Sequence, residues 1–511
     1  MFTQQYRPLF KHAQLESVKA SLVAAATQAL PLHVRLQRAL RQLILDGTLA
    51  VGKPLPATRA LATSLGVSRD TVESAYGQLH LEGFIERHVG RGSFVSPRAE
   101  HLPHRPAGAR TQRVTRAQAL SRRGAAIVQR GGVLIPAAVR PFAQGLPETR
   151  TFPLAIWERL QRQVLKEHGS GALTSAPAQG LAVLRQAIAD YVSLERGAHA
   201  SADQVLVLTS SQQALTLCAT VLFDAGDAIC VEDPGYYGAR KAFEAAGLTC
   251  MPLPVDAEGL RVDHLPEAGA DSNGPQPRGL YLTPSHQFPT GATLTLDRRL
   301  AVIAWAHRHR GWILEDDYDS EFHYAGRPTA CVQGLDLHGR TIYIGTFTKS
   351  LFPGLRIGYM VLPPELVAPM TAARTLLDGH SAPIPQLTLA RFLQDGHFGA
   401  HVRAMRLLYA QRRDILAHLI RTHLSGILEP RIPTGGMQMP CLFVCDMDEA
   451  EAVRAARRAG VDVLGLSTLH AGQTPAQGLL LGFAAHAPHE MAAGIEALAS
   501  ALHERVRRRL A

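Results

Sequence analysis

The run Gly345-Thr-Phe-Thr-Lys349-Ser-Leu-Phe-Pro-Gly-Leu-Arg356-Ile-Gly358 holds one lysine, two flanking threonine hydroxyls and a following arginine inside a glycine-bounded loop. Those groups suit an aldehyde that carries a phosphate. The Lys349 amine can condense with the aldehyde, while Thr346, Thr348 and the planar fork of Arg356 can bind the phosphate. Pyridoxal 5'-phosphate is the obvious candidate. A solvated surface lysine is the competing reading, and the rest of the chain decides between them.

Upstream, Trp312-Ile-Leu-Glu-Asp316-Asp317-Tyr318 is an apolar, strand-like run that stops abruptly in carboxylates and a tyrosine. Strand ends are where α/β sites are built. A carboxylate there can pair with a protonated pyridine nitrogen, and a phenol can hydrogen-bond the ring hydroxyl. Further back, Val205-Leu-Val-Leu-Thr-Ser210-Ser211-Gln212 reads as a strand entering a helix through hydroxyls, whose unpaired amides and dipole suit a phosphate. Glu232-Asp-Pro-Gly-Tyr236-Tyr237 follows another strand and offers rings to stack on a flat cofactor. In this order the four segments resemble the large domain of fold-type I pyridoxal-phosphate enzymes, the aminotransferase family.

The N-terminal part is of another kind. Leu61, Leu65 and Val67 close a short helix over Gly66, and Val72, Ala75, Tyr76 and Leu79 repeat at helical spacing behind Ser68, a good N-cap. Two helices meeting across a tight turn leave Ser68, Arg69 and Thr71 facing outward at the start of the second, where a recognition helix presents side chains to the major groove. Phe84–Arg87 and Ser93–Ser96 alternate like strands around Val89-Gly-Arg91-Gly92, a wing with Arg91 at its tip. Arg59 on the first helix can clamp a phosphate or reach a guanine edge. Residues 31–96 thus resemble a GntR-type winged helix-turn-helix.

A winged helix followed by an aminotransferase-like domain resembles the MocR subfamily of GntR regulators, over nearly the whole chain. Thr283-Pro-Ser-His286-Gln287-Phe-Pro-Thr-Gly291, His401-Val-Arg-Ala-Met-Arg406-Leu-Leu-Tyr409 and Gly478-Leu-Leu-Leu-Gly-Phe483 support it. The implied fold is multidomain, a winged helix plus an α/β fold-type I domain with a large, mostly parallel sheet and a smaller α+β C-terminal part. The resemblance implies that Lys349 is the Schiff-base lysine, Asp316 the pyridine-nitrogen partner, Tyr318 the ring-hydroxyl partner and Tyr236 the stacking ring. Asp317 is the alternative nitrogen partner, since sequence does not say which adjacent acid points inward. The large domain is then expected to sense pyridoxal phosphate, or an amine or amino-acid effector, and the winged helix to carry the response to an operator. The alternative is a working aminotransferase with a DNA-binding appendage. A homodimer is expected, since fold-type I sites lie at subunit interfaces and operator half-sites favour paired winged helices.

Departures from the enzyme pattern bear on that choice. Phe288 stands where many aminotransferases of this fold carry an asparagine, Ser175 where a neighbouring-subunit tyrosine is common, and Leu480 where the carboxylate-binding arginine is expected. An amino acid's carboxylate would lose its bidentate partner, so a standard α-amino acid transaminase is disfavoured.

Composition sets the outer limits. A chain of 511 residues, 46% hydrophobic with a net charge of +10, is multidomain and able to bury large cores. Arg98, Arg105, Arg110, Arg113, Arg116, Arg122, Arg123 and Arg130 lie among prolines and alanines, marking 97–140 as a linker between an N-terminal extension with the winged helix (1–30 and 31–96) and the large domain (141–511, small subdomain from about 400). That charge could follow a DNA backbone or simply solvate a tether. No apolar run approaches membrane-spanning length and the N-terminus lacks a signal-peptide core, so a cytoplasmic location is expected. The six cysteines show no metal or disulfide spacing, Cys441 and Cys445 reading as one face of a buried strand, and no metal is assigned.

Overall fold

The computed structural model describes residues 12–23, 29–98, 120–133, 139–267, 276–324, 330–472 and 476–510. They form two compact units, Met1–Ala119 and Leu120–Ala511.

In the first unit, helices Leu32–Leu45, Thr58–Leu65 and Arg69–Leu81 precede the strands β1 (Ile85–His88) and β2 (Gly92–Val95). Leu36, Leu40, Leu61, Val72, Ala75, Tyr76 and Leu79 recur at helical spacing and are buried with Ile85 and Val95 in one core. Gly66 ends the first helix of the pair in the left-handed region at φ +67°, and Ser68 opens the second by accepting a bond from the Thr71 amide at 3.2 Å. β1 and β2 pair antiparallel, Ile85 opposite Val95. The sequence suggests only an extension before residue 31, yet a helix over His12–Val23 adds Val18 and Leu22 to this core. Two apolar anchors four residues apart are too short a pattern to stand out.

The second unit is built on an eight-stranded sheet. Its strands are β3 (Val205–Leu208), β4 (Ala228–Asp233), β5 (Thr249–Asp256), β6 (Gly259–Leu260), β7 (Pro277–Leu282), β8 (Trp312–Asp317), β9 (Thr341–Thr346) and β10 (Gly358–Val361), in the order β3-β10-β9-β8-β7-β4-β5-β6. Pairing is parallel from β9 through β5, while β10 and β6 run antiparallel to their neighbours. Val205–Leu208 and Thr341–Thr346 are buried at every position, as strands covered on both faces require. A smaller antiparallel sheet, β11 (Leu428–Pro430), β12 (Gln438–Phe443), β13 (Leu464–Gly465) and β14 (Gly478–Gly482) in the order β11-β12-β14-β13, packs with helices His397–His423, Glu449–Arg458 and Pro488–Leu510. Because β12 ends at Phe443, Cys445 lies outside the strand and does not share a face of it with buried Cys441.

The expected tether differs from its reading as unpacked chain. A helix spans Arg122–Arg130, capped by Ser121 and ending at Gly131, within the second unit. Arg130 pairs with Glu244 at 2.9 Å and the Lys241 ammonium donates to the Gly132 carbonyl at 3.1 Å. Ile127 and Val128 remain largely exposed, so polar contacts rather than an apolar stripe hold this helix, and no apolar period announces it. Arg105, Arg110, Arg113 and Arg116 lie outside the described residues. Among the described residues no helix is long and apolar enough to cross a membrane.

Candidate functional site

Sheet order gathers the candidate residues at one edge. Gly358, which opens β10, pairs with Leu208 on β3 and with Thr346 on β9. The segments that follow those two parallel strands, Ser210–Gln212 and Thr346–Lys349, therefore flank the start of β10, with Arg356 two residues before it. Ser210 caps the helix Ser211–Val221 by accepting from the Gln213 amide at 3.2 Å, which leaves the Ser211 and Gln212 amides at its open end. Gln212 Nε2 donates to the Gly238 carbonyl at 3.0 Å, tying this helix to the one that begins at Tyr237. Thr346 Oγ1 donates to Thr348 Oγ1 at 3.0 Å and accepts from the Thr348 amide at 3.2 Å. Arg356 is exposed and held at φ +53°. Hydroxyls and helix-end amides around one strand end, with Arg356 two residues before it, make a donor set suited to a phosphate.

Beside it lies a cavity of about 730 Å³ whose walls include Lys349, Asp316, Tyr318, Tyr236, Phe288 and Ser211. The Lys349 amine donates to the Gly145 carbonyl at 2.7 Å. Burial pushes its pKa below the ordinary lysine range, and the Asp319 and Asp316 carboxylates act in the opposite sense. Gly145 sits at φ +69°, and a Cβ there would come within 2.6 Å of the lysine nitrogen. The two adjacent acids diverge because neighbouring residues of a strand face opposite ways. Asp317 accepts from Arg196 Nε at 2.8 Å and from the Tyr343 hydroxyl at 2.5 Å, and against the burial that would raise its pKa these partners hold it below the ordinary range. Asp316 lines the cavity, accepts from the Tyr281 hydroxyl at 2.9 Å through Oδ2, and keeps a buried Oδ1 with no partner. Burial, with a smaller contribution from Asp317, pushes its pKa up to about 7. A ring N–H would satisfy that oxygen, so the residues present fit a pyridoxal ring.

Around the ring position, the Tyr318 hydroxyl donates to the His286 carbonyl at 3.1 Å, and Tyr236 meets Phe288 edge to face at 5.6 Å. Phe288 fills the place of the expected asparagine with carbon, and Leu480, fully buried, packs with it. Ser175 is exposed.

Several cavity residues escaped the sequence. Asp319 lines the cavity, shares a 2.9 Å bond with His286 Nδ1 through Oδ1, and has a buried Oδ2 without a partner. It lies three residues beyond Asp316 in the same acidic run, the one signal that pointed to it. Over this pair sits the turn before β12: a Cβ on Gly435 would overlap His286 Nε2, and one on Gly436 would stand 3.0 Å from Asp319 Oδ2. Gly132 and Val133, from the end of the expected tether, also line the cavity, and nothing in their composition announces it.

The first unit presents the other candidate surface. Ser68, Arg69, Arg59, Arg91 and Gly92 are exposed and Thr71 is half-buried, its hydroxyl 2.8 Å from that of Ser68. The wing turns through Gly90 at φ +78° and Gly92 at φ +94°, conformations that side chains rarely adopt. An ion pair between Arg87 and Glu73 ties the wing to the helix Arg69–Leu81.

Both units match families of known proteins. Residues 142–498 match the family model of class I and II aminotransferases, and residues 32–95 that of the gntR family of bacterial regulatory proteins. The chain is 37% identical to the "Probable rhizopine catabolism regulatory protein MocR" of Rhizobium meliloti, over 92% of this chain and 94% of that protein. It is 31% identical to the HTH-type pyridoxine biosynthesis transcriptional regulator PdxR of Corynebacterium glutamicum, over 88% and 92%. Among solved structures, the multiple substrate aminotransferase of Thermococcus profundus is 27% identical, covers 77% of this chain and all of its own, and superposes with a TM-score of 0.69. The chain therefore belongs to the MocR-type GntR regulators: it is a DNA-binding transcription regulator whose gntR-family winged helix precedes an aminotransferase-like domain that takes pyridoxal 5'-phosphate as cofactor.

Proposed function

We propose that this regulator senses pyridoxal phosphate itself, or an amine that joins it, in the cavity around Lys349, and alters operator binding in response. The observation that carries this is the place of Gly132 and Val133: the chain leading back towards the winged helix forms part of the wall of the cavity that holds Lys349. A ligand that presses on this wall acts on the connecting segment directly, and only a difference in affinity between two arrangements is needed for it to shift them.

Within the cavity, Lys349 would hold the cofactor through its amine. Asp316 Oδ1 would accept from the ring nitrogen, Tyr318 would hydrogen-bond the ring hydroxyl and Tyr236 would stack. Ser210, Ser211, Gln212, Thr346, Thr348 and Arg356 would bind the phosphate. When bound, pyridoxal phosphate supplies an aldehyde carbon that an amine can join. On the DNA side, Arg69, Ser68 and Thr71 would enter the major groove, with Arg59 and the Arg91–Gly92 wing on the backbone or an adjoining groove. The protein would work in the cytoplasm, where its operator is, and as a homodimer; leucines left exposed at 154, 173, 376 and 377 offer apolar surface to a second copy.

The test is operator affinity, by fluorescence anisotropy on an operator selected from random-sequence DNA, with and without pyridoxal phosphate. The parent is expected to change affinity on adding the cofactor and Lys349→Ala to stay unmoved. An unchanged parent would end the sensor reading.

A further inference from the structure

We infer that the cavity is built for amines that carry no carboxylate, with Leu480 and Asp319 setting that choice. The inference rests on the cavity being the effector site proposed above.

One wall is dry. Leu480 lies on β14 opposite Pro440 of β12 and Leu464 of β13, and is fully buried. It packs with Phe288, Leu466 and Leu469 against the rings of Tyr236 and Tyr318. Tyr236, Phe288, Tyr318 and Leu464 are themselves cavity walls, so a ligand lying over Tyr236 meets carbon there. A carboxylate pressed into such a surface loses its water and gains no donor.

Arg240, Lys241 and Arg457 also line the cavity, and their existing contacts or exposure limit what each offers a carboxylate. Arg240 is committed to the carbonyls of His470 at 3.0 Å and Thr468 at 3.3 Å. Lys241 donates to Gly132 and stands 5.4 Å from the Tyr237 ring centre. Arg457 is exposed, where water and salt weaken its pull on a buried anion.

The opposite charge is built in. Asp319 is a buried cavity residue, one oxygen held by His286 and the other without a partner. With Asp316 Oδ1 given to the ring nitrogen, Asp319 Oδ2 remains a buried cavity oxygen without a partner. A ligand carboxylate is repelled by this arrangement, while an ammonium, or a hydroxyl able to donate, gains a partner. The favoured ligand is therefore an aliphatic or aromatic amine, and a second amine at the far end of a short chain adds to its affinity.

Three probes of equal chain length separate the possibilities: n-butylamine, 1,4-diaminobutane and 4-aminobutanoate, each titrated calorimetrically into the full-length protein saturated with pyridoxal phosphate. In the parent, butylamine is expected to bind about tenfold or more tightly than 4-aminobutanoate, and diaminobutane more tightly still. Leu480→Arg is expected to improve 4-aminobutanoate by about tenfold, and Asp319→Asn to bring diaminobutane down to the affinity of butylamine measured in the same variant. If 4-aminobutanoate equals or exceeds butylamine in the parent, or if none of the three amines binds, the inference is overturned, and the parent protein alone decides this if a variant fails to fold. The visible absorbance of lysine-bound cofactor, recorded on the same parent sample, keeps the two claims apart: its absence fails the cofactor site proposed above, whereas its presence without the amine preference fails only this inference.

Discussion

The winged helix and the cavity handle charge in opposite ways. Arg59, Arg69 and Arg91 stand exposed, and none of their guanidiniums has a side-chain partner among the described residues. In the large unit the acids at the end of β8 are buried and, apart from single oxygens on Asp316, Asp317 and Asp319, bonded to protein. The contrast follows from the partners. DNA is a large polyanion met from outside, so side chains stay solvated and mobile until it arrives. A small ligand is surrounded, so its contacts must be arranged beforehand and the cost of holding polar groups dry falls on the folded protein.

The comparison predicts that damage on one side leaves the other standing. The largest effect is expected from Lys349→Ala: complete loss of covalent cofactor attachment, read by borohydride reduction and mass spectrometry, with operator affinity of the cofactor-free protein unchanged. Persistence of the adduct would assign another lysine. Arg69→Ala is expected to weaken operator binding by about 1–3 kcal/mol at fixed salt while cofactor uptake, followed by absorbance, stays intact. Gly145→Ala sharpens the cavity side. The new Cβ would require φ +69° and crowd the Lys349 nitrogen, so cofactor loading should slow, with gel-shift affinity untouched. Ser68→Ala removes a helix cap and is expected to cost about 1 kcal/mol of stability in the first unit, read by denaturant unfolding.

A last prediction concerns pH. Glu232 is buried, accepts from the Thr283 amide and hydroxyl at 3.0 and 2.7 Å, and is pushed up to about 7, chiefly by burial. Its folded pKa lies above the ordinary glutamate value of 4.5, so the native state binds the extra proton between those values. Stability from this group is present below about pH 4.5 and is lost as pH rises towards 7. Glu232→Gln keeps an acceptor without the charge, so relative to the parent it should gain stability over that window, by at most about 1.4 kcal/mol per pH unit. A parallel pair of stability profiles would show that Glu232 does not titrate there.

Much of this was legible from residues. Strand-to-loop transitions rich in hydroxyls and acids marked Ser210, Asp316, Tyr318 and Lys349, because a strand end and its following loop are contiguous in sequence. The helix pair and wing were legible for the same reason, their packing being local. The choice between Asp316 and Asp317 was not, since two adjacent acids look alike until Arg196, far away in the chain, claims one of them. The helix Arg122–Arg130 stayed hidden because its attachment is an ion pair to Glu244 rather than an apolar stripe. Asp319 was written in the same run as Asp316, but its bond to His286 depends on a tertiary meeting that no spacing encodes.

The turn at Gly435–Gly436 has a mechanical consequence. The small sheet comes down onto His286 and Asp319 as far as it does because two carbon atoms are missing. One methyl group at either position would act as a wedge, setting the two sheets apart without touching the lysine, the phosphate cradle or the recognition helix. Such a separation is one alanine distant from the natural chain.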